Sequence, residues 1–162
     1  IDDIQSITNH IYLKDNNNYN IIGDSNIKFM YVPEYLYYIL FEIIKNSTQA
    51  IINLDSDDKQ DINIHIIKGT ADIIIKVSDN ADGFSRELSD VVFSFLYTSS
   101  KDKLSDIINK NIVLSGYGYG LGLSRIFARY FDGDVKIISS EGIGTDTYIF
   151  LKILNANENI LI

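Results

Sequence analysis

The chain has 162 residues, 46% of them hydrophobic, and this size and composition suit a single globular domain with its own core. The net charge of −8 argues against nucleic acid as the main partner, because phosphate backbones are bound by basic surfaces. The absence of cysteine excludes disulfides, zinc–thiolate sites and thiol catalysis, and no apolar run of about 18 residues predicts a membrane span.

The amino-terminal part carries little periodicity. Residues 15–20 form a polar, low-complexity stretch that we predict to be a loop. Short strands are predicted on either side of it, at 11–13 and at 27–31. Val32 precedes the only proline of the chain and is expected to be extended, whereas Pro33 suits the first position of a helix.

A helix is predicted over residues 33–54, and two stripes run along it at helical spacing. The first stripe is mostly apolar and consists of Leu36, Leu40, Ile43, Ser47, Ala50 and Leu54. The second is wholly polar and consists of Glu42, Asn46, Gln49 and Asn53. A polar stripe usually faces solvent, but Ile39, Phe41 and Ile44 flank this one. A solvent face and a ligand-binding face are therefore both open interpretations.

A hairpin is predicted next. The charged segment 55–61 lacks the glycine and the distal glutamate of a calcium loop, which favours a solvated turn. Alternating isoleucines at 62–66 and a run at 73–77 predict two strands with one buried face. The second strand ends near Asp79 and a turn containing Gly83, where α/β proteins often place ligand contacts. The same composition is also common in ordinary turns.

The middle of the chain contains a long aperiodic stretch. Ser85 can cap a helix that we predict over residues 86–96. Residues 98–115 show no steady period, and a loop of this length in a compact domain is usually functional. We therefore predict a lid over a ligand there.

Residues 116–124, GYGYGLGLS, run directly into a predicted amphipathic helix at 125–131. Glycines let backbone amides point at a ligand, and a helix start adds partial positive charge, so the segment favours a polyphosphate. The spacing fits neither the dinucleotide motif G-x-G-x-x-G nor a P-loop ending in G-K-[ST]. A flexible linker is the alternative, and four alternating glycines next to a helix argue against it. Strands at 135–139 and 147–153, joined by a turn at 141–145, close the chain.

Four motifs, in this order, resemble those of the GHKL ATPases, the superfamily of gyrase, Hsp90, MutL and histidine kinases. They are Glu42-x-x-Lys45-Asn46, Asp79-x-x-x-Gly83, Gly116-x-Gly118-x-Gly120-Leu121-Gly122 and Gly144-Thr145. The ordered set covers residues 27–154 and is far more specific than any one motif. It implies a Bergerat-type ATP-binding fold, an α/β (α+β) two-layer sandwich whose mixed, mostly antiparallel sheet of about five strands is covered by about three helices.

Within that superfamily, several segments are similar to the mitochondrial protein kinases of pyruvate and branched-chain 2-oxo acid dehydrogenases. These segments are 31–37, 93–99, 118–134 and 141–146. The most specific block is Gly118–Leu121 followed by Ser124–Asp134, because histidine kinases, MutL and gyrase do not resemble its segment Ala128–Phe131.

The resemblance implies that Glu42 is the general base and that Asn46 binds Mg²⁺. It implies that Asp79 accepts a hydrogen bond from the adenine amino group, with Thr145 beside it and Gly83 close to the base. The other implied nucleotide contacts are Gln49, the lid residues Thr98 and Ser99, and Gly116, Gly118, Tyr119, Gly120 and Leu121. The implied cofactors are ATP and Mg²⁺, and K⁺ is a further ion that the resemblance allows. Residues one helical turn apart lie about 6 Å apart, so Glu42 and Asn46 can face one phosphate without competing.

The implied activity is ATP-dependent serine phosphorylation of the alpha subunit of the decarboxylase component of a 2-oxo acid dehydrogenase complex. The implied partners are that subunit and the lipoyl-bearing core of the complex, and the implied state is a homodimer in the mitochondrial matrix. The chain starts at Ile1, without an initiator Met or the helical bundle of these kinases, so we expect residues 1–162 to be one domain of a longer protein. The alternatives are a module that binds or hydrolyses ATP, with Glu42 activating water, a histidine-kinase-type catalytic domain, and a non-enzymatic scaffold.

The chain departs from these kinases at a few positions. Ala81 and Asp82 stand where the kinases have glycines, Gln49 replaces an arginine, and Leu123 stands where a Pro-Ile-type pair is usual. Ala81 is small enough to be tolerated. Asp82 adds negative charge near the predicted pocket and is expected to weaken ATP binding, whereas Gln49 removes a cation.

Overall fold

The structure is a computed structural model that describes residues 18–23, 27–54, 61–89, 91–94 and 119–153. Within these ranges the elements follow one another as β1 (Asn18–Gly23), α1 (Pro33–Ile52), β2 (Asp61–Lys68), β3 (Asp72–Asp79), α2 (Arg86–Ser89), α3 (Gly120–Tyr130), β4 (Asp134–Ser140) and β5 (Gly144–Lys152). None of these described helices has the length and apolar character needed to cross a bilayer.

The described strands form one sheet of five strands in the order β1-β2-β3-β5-β4. β1 runs parallel to β2, and the pairs β2–β3, β3–β5 and β4–β5 are antiparallel. Together with the three described helices, this arrangement confirms the predicted α/β fold with a mixed, mostly antiparallel sheet.

One face of the sheet carries the core, because alternate side chains of a strand point to the same face. The buried strand residues are Ile62, Ile64, Ile73, Ile75, Val77, Val135, Ile149 and Leu151. Helix α1 packs on this face through Ile39, Ile43 and Ile44, and α3 packs beside α1. Pro33 starts α1 as predicted, because its ring presets φ and its missing N–H is not needed in a first turn.

Aromatic side chains join α1 to α3. Tyr35 stacks on Phe127 with ring centroids 4.6 Å apart, and Tyr38 meets the same ring edge-on at 5.2 Å. Tyr31, just before α1, meets Phe131, just after α3, at 5.3 Å. Each such pair adds about 0.5–1.5 kcal/mol beyond the area that it buries. The later part of α3 is thereby held beside the first turns of α1.

Two predictions for the amino-terminal part are wrong. Residues 18–20, which the predicted loop at 15–20 includes, belong to β1, and residues 27–31, predicted as a strand, form none. Phe29 and Tyr31 pack against the core without joining the sheet, so their apolar character reflects burial rather than strand pairing. The position of β1 depends on backbone pairing with β2, which no local pattern reveals.

Two helices differ from their predicted bounds. Of the helix predicted at 86–96, Arg86–Ser89 is helical and residues 91–94 form turns, while residues 90, 95 and 96 lie outside the described residues. The helix predicted at 125–131 begins already at Gly120, so the end of the glycine-rich segment is helical. The hairpin and the two closing strands lie close to their predicted positions. The predicted strand at 11–13, residues 55–60 of the charged turn and the predicted lid at 98–115 lie outside the described residues.

Candidate nucleotide-binding site

Glu42 lies in the middle of α1 and is buried, with 9% of the residue exposed. Its Oε2 accepts a hydrogen bond from Lys45 Nζ at 2.5 Å, and only 4% of the Lys45 side chain is exposed. Asn46 follows one turn after Glu42 and is partly exposed. The solvent-facing interpretation of the polar stripe is therefore wrong at Glu42, whose carboxylate is inside the protein.

The start of α3 lies against the Glu42 carboxylate. A Cβ atom on Gly120 would collide with Glu42 Oε2, so glycine is what allows the backbone to come this close. No side chain caps the start of α3, and the first N–H groups of an α-helix have no partner within the helix. Because Lys45 neutralises the charge of Glu42, this helix start can also face an anion such as a phosphate.

Tyr38 precedes Glu42 by one turn of α1. Burial, and then the negative charge of Glu42, raise the pKa of the Tyr38 phenol above its ordinary value. The ring of Tyr38 also packs on Phe127 of α3. The Glu42 carboxylate thus lies between Tyr38 and Lys45 along α1, with the start of α3 against it.

Asp79 ends β3 and is buried, with 5% of the residue exposed. Ser47 Oγ donates to Asp79 Oδ2 at 2.7 Å, and the Ala81 backbone N–H donates to Oδ1 at 3.3 Å. Thr145 pairs with Asp79 across β3 and β5, which brings its backbone N–H near this carboxylate. Burial raises the pKa of Asp79 above its ordinary value, although the hydrogen bonds from Ser47 and Ala81 and the nearby Thr145 N–H oppose the rise.

The turn after β3 is bound to the turn between β4 and β5. Gly83 has a φ of +61°, in the left-handed region that favours glycine, and a Cβ there would collide with the backbone of the second turn. The Phe84 N–H donates to Ser139 Oγ at 2.9 Å, and Ser139 Oγ bonds Thr145 Oγ1, also at 2.9 Å. These contacts keep Gly83 and Thr145 beside the Asp79 end of β3.

The structure thus brings most of those predicted site residues that it describes into two groups. The group at the junction of α1 and α3, which we call the acid end, contains Glu42, Asn46 and Gly120. The group at the ends of β3 and β5, which we call the aspartate end, contains Asp79, Gly83 and Thr145. Ser47 of α1 connects the two groups through its hydrogen bond to Asp79.

The remaining predicted residues are less closely grouped. Gln49 is partly exposed on α1, Leu121 packs at the margin of the core, and Tyr119 is exposed just before α3. Thr98, Ser99, Gly116 and Gly118 lie outside the described residues.

Two of the departures from the kinase pattern can also be placed. Ala81 is buried and supplies a backbone donor to Asp79, so its methyl group is accommodated. Asp82 is exposed, and its backbone carbonyl accepts a hydrogen bond from the Gly142 N–H at 2.7 Å. The weakening of ATP binding that is expected from the charge of Asp82 stays a prediction.

The described residues also bear on Mg²⁺. No group of three or more His, Cys, Asp or Glu side chains that could enclose a metal occurs in the described part of the chain. Mg²⁺ bound to a nucleotide usually takes one or two protein ligands and completes its shell with phosphates and water. Asn46, a partly exposed amide one turn from Glu42, fits that role.

Sequence reasoning did not assign roles to Lys45 and Ser47. Lys45 belongs to the first motif, and an acid and a lysine three residues apart on a helix commonly pair. Ser47 was placed in the apolar stripe, where it is the only hydroxyl. A lone hydroxyl on a buried helical face needs a partner, and this signal predicts a polar group opposite.

A cavity of about 430 Å³ lies beside β4, and its lining includes Phe93, Arg125, Lys136 and Phe150. None of the predicted site residues lines this cavity. It is therefore separate from the acid end and the aspartate end.

A sheet with this strand order, a buried acid on α1 and a glycine at the start of α3 define an ATP-binding protein of the Bergerat type. The chain matches the family described as "Histidine kinase-, DNA gyrase B-, and HSP90-like ATPase" over residues 31–155, and it belongs to that family. The resemblance to the GHKL ATPases is confirmed.

Curated relatives agree with this assignment. The chain is 42% identical over 141 residues to "[Pyruvate dehydrogenase (acetyl-transferring)] kinase, mitochondrial" of Drosophila melanogaster, with 84% of this chain and 34% of the relative covered. It is 39% identical over 150 residues to the protein of the same name from Arabidopsis thaliana, with 88% and 41% covered. It is 39% identical over 137 residues to isozyme 3 of Homo sapiens, with 82% and 33% covered. The chain spans about a third to two fifths of the length of these relatives.

Proposed function

We propose that this chain is the ATP-binding domain of a protein-serine kinase that phosphorylates pyruvate dehydrogenase in the mitochondrial matrix. The observation that carries the proposal is Glu42, a buried carboxylate that Lys45 holds against the start of α3. The names of the curated relatives support a kinase of pyruvate dehydrogenase rather than of the branched-chain enzyme.

The aspartate end binds the adenine in this proposal. Asp79 accepts a hydrogen bond from the adenine amino group, Thr145 lies beside it, and Gly83 lets the backbone approach the base. Burial supports such a contact, because a hydrogen bond to an ionised carboxylate is stronger away from water.

The acid end holds the phosphates. The N–H groups at the start of α3, at Gly120 and Leu121, contact phosphate oxygens together with Gly116 and Gly118. Asn46 binds Mg²⁺ through its side-chain oxygen. When bound, magnesium–ATP supplies the phosphoryl group, and the metal ion neutralises charge on the phosphates.

Glu42 acts as the general base. Lys45 occupies Oε2, which leaves Oε1 to accept the proton of the serine hydroxyl. The pair with Lys45 also limits the side chain to one orientation, and positioning is the main contribution of a protein to phosphoryl transfer. Glu42 keeps the proton until the phosphorylated serine has left.

The whole protein is proposed to act on the alpha subunit of the decarboxylase component and to dock on the lipoyl-bearing core, as a homodimer. The relatives support action on pyruvate dehydrogenase, because their names give that enzyme as the substrate. K⁺ is proposed as a further ion on family resemblance alone.

The test is phosphorylation of purified pyruvate and branched-chain dehydrogenase components by the full-length protein with labelled magnesium–ATP. We expect label on serine of the pyruvate dehydrogenase alpha subunit, located by mass spectrometry. Preferential labelling of the branched-chain component would correct the substrate. ATP hydrolysis without transfer would favour the conformational module, and phosphohistidine would favour the histidine-kinase type. No binding of magnesium–ATP by calorimetry would overturn the proposal.

A further inference from the structure

Ser47 makes the side-chain contact that links α1 to Asp79. Its Oγ donates to Asp79 Oδ2 at 2.7 Å, and both residues are buried, each with 5% exposed. Among the other buried positions of α1, Ile43, Ile44 and Ile51 are apolar, whereas the buried polar side chains Glu42, Lys45 and Thr48 each have a partner of their own. A hydroxyl at position 47 is therefore not needed for packing, and its function is the bond to the carboxylate.

The hydrogen bonds to Asp79 engage both of its carboxylate oxygens. A carboxylate offers about four lone-pair sites on its two oxygens. Ser47 uses one on Oδ2, and Ala81 N–H uses one on Oδ1. The sites that remain can accept an N–H from a ligand, and the two protein donors determine where those sites point.

From this geometry we propose that Ser47 is a positioning residue for purine selection. By holding Oδ2, Ser47 orients the Asp79 carboxylate so that a free acceptor site faces the amino group of a 6-amino purine. A purine with a 6-oxo group at that position should bind more weakly. A 6-oxo group carries an acceptor where the amino group carries donors, so it would leave two acceptors facing each other without a proton. The inference rests on the proposed function, in which Asp79 binds the adenine amino group.

The test compares magnesium–ATP with magnesium–ITP, whose base has a 6-oxo group, by calorimetry on the full-length protein. In Ser47→Ala, Asp79 loses its side-chain donor, and we expect ATP to bind roughly tenfold more weakly. ITP, which gains nothing from the orientation of Asp79, should bind within about twofold of its original affinity. The ATP/ITP selectivity should therefore fall by about tenfold.

Thr48→Val is the matched control. Thr48 is the next residue of α1, and its buried hydroxyl bonds Ile44 O and Tyr19 OH instead of Asp79. This change removes a buried hydroxyl at nearly constant volume and should leave the ATP/ITP selectivity unchanged. Ser47→Thr, which keeps the hydroxyl, should restore most of the selectivity. If Ser47→Ala does not fold, Ser47→Cys, with a weak donor of similar size, should lower the selectivity in the same direction.

Equal losses for ATP and ITP in Ser47→Ala would show a merely structural role and overturn the inference, as would unchanged binding of both. Binding of neither nucleotide by the unaltered protein would overturn the proposed function and the inference together. If the unaltered protein binds ATP selectively but transfers no phosphate, the kinase proposal fails. Loss of selectivity in Ser47→Ala would still support the role of Ser47 in that case.

Discussion

The acid end and the aspartate end each contain a buried carboxylate next to α1, but the two carboxylates are compensated differently. Glu42 pairs with the full charge of Lys45 on its own helix. Asp79 receives hydrogen bonds from two neutral donors, Ser47 Oγ and Ala81 N–H, which belong to two different parts of the chain. A buried charge is costly unless it is paired or well hydrogen-bonded, and the two ends meet this requirement by different means.

This difference predicts that substitutions at the acid end and at the aspartate end have different effects. At the acid end, removal of one partner leaves a buried charge without its counter-charge, so single substitutions should be severe and double substitutions less so. At the aspartate end, loss of one of the two neutral donors should weaken ligand recognition and leave the fold largely intact. Burial of Asp79 is only partly compensated, which is why its pKa is raised.

The largest expected effect is that of Glu42→Gln on phosphoryl transfer. The amide can still accept a hydrogen bond from Lys45 but cannot take the serine proton, so kcat should fall by about 10²–10⁴-fold. Nucleotide binding should change little, because the aspartate end is untouched. Steady-state kinetics and calorimetry on the full-length protein measure the two quantities. Glu34→Gln, an exposed acid on the same helix, is the control; normal transfer by Glu42→Gln would rule out Glu42 as the base.

Lys45→Met should have the next largest effect, on stability. It leaves the Glu42 carboxylate buried without its cation, and the free energy of unfolding should fall by about 3–5 kcal/mol. Urea denaturation followed by circular dichroism measures this change. The double variant Lys45→Met/Glu42→Gln removes both charges and should recover most of the loss. If the double variant is less stable than Lys45→Met alone, the ion pair between Glu42 and Lys45 is not what stabilises the acid end.

Gly120→Ala tests the contact between α3 and Glu42. Alanine normally stabilises a helix by about 1 kcal/mol relative to glycine, but here its Cβ would collide with Glu42 Oε2. We expect the free energy of unfolding to fall by about 1–3 kcal/mol. In a Glu42→Ala background the collision is gone, so the same substitution should become stabilising. Thermal unfolding is measured for the unaltered protein and for Glu42→Ala, each with and without Gly120→Ala. If Gly120→Ala lowers the stability in both backgrounds, the contact between Gly120 and Glu42 is contradicted.

The two ends also differ in how much of them could be predicted from the sequence. The part of the acid end that lies on α1 depends on local spacing, since Glu42, Lys45 and Asn46 lie within two turns of a helix that Pro33 and the apolar stripe predict. Its contact with Gly120 of α3 is long-range and does not follow from spacing. The bond between Ser47 and Asp79 joins residues 32 positions apart. Its geometry depends on how α1 lies on β3, which periodicity does not specify.

The same reasoning explains the errors in the fold. The isoleucine alternation of β2 and β3 was sufficient to predict a hairpin, because one face of each strand is buried. β1, with the sequence NYNIIG, has no such alternation, and it is a strand because its backbone pairs with β2 at the sheet edge. Phe29 and Tyr31 look like strand residues because they are buried, and burial without pairing gives the same local pattern.

The smallest expected effect is a pH dependence at the aspartate end. Burial raises the pKa of Asp79 above 3.8, and the charge of Asp146 adds to the rise. Protonation therefore begins at a higher pH than for an ordinary aspartate. As the pH falls, protonation of Asp79 removes the ionised carboxylate that accepts the hydrogen bond from the adenine amino group.

The contribution of Asp79 to the free energy of unfolding changes with pH in the direction opposite to its contribution to adenine binding. The folded protein holds the Asp79 proton more tightly than the unfolded chain does, so this group lowers stability as the pH rises from 3.8 through the raised pKa. Selectivity for ATP over ITP should fall as the pH is lowered toward the raised pKa of Asp79, and calorimetry at several pH values measures it. Taking the ratio of the two affinities cancels titration of the phosphates, which both nucleotides share. In Ser47→Ala the pKa of Asp79 should rise further, because a hydrogen bond that lowers it is lost, and the fall should begin at a higher pH. A selectivity that does not change with pH would mean that Asp79 does not contact the base as an ionised acceptor.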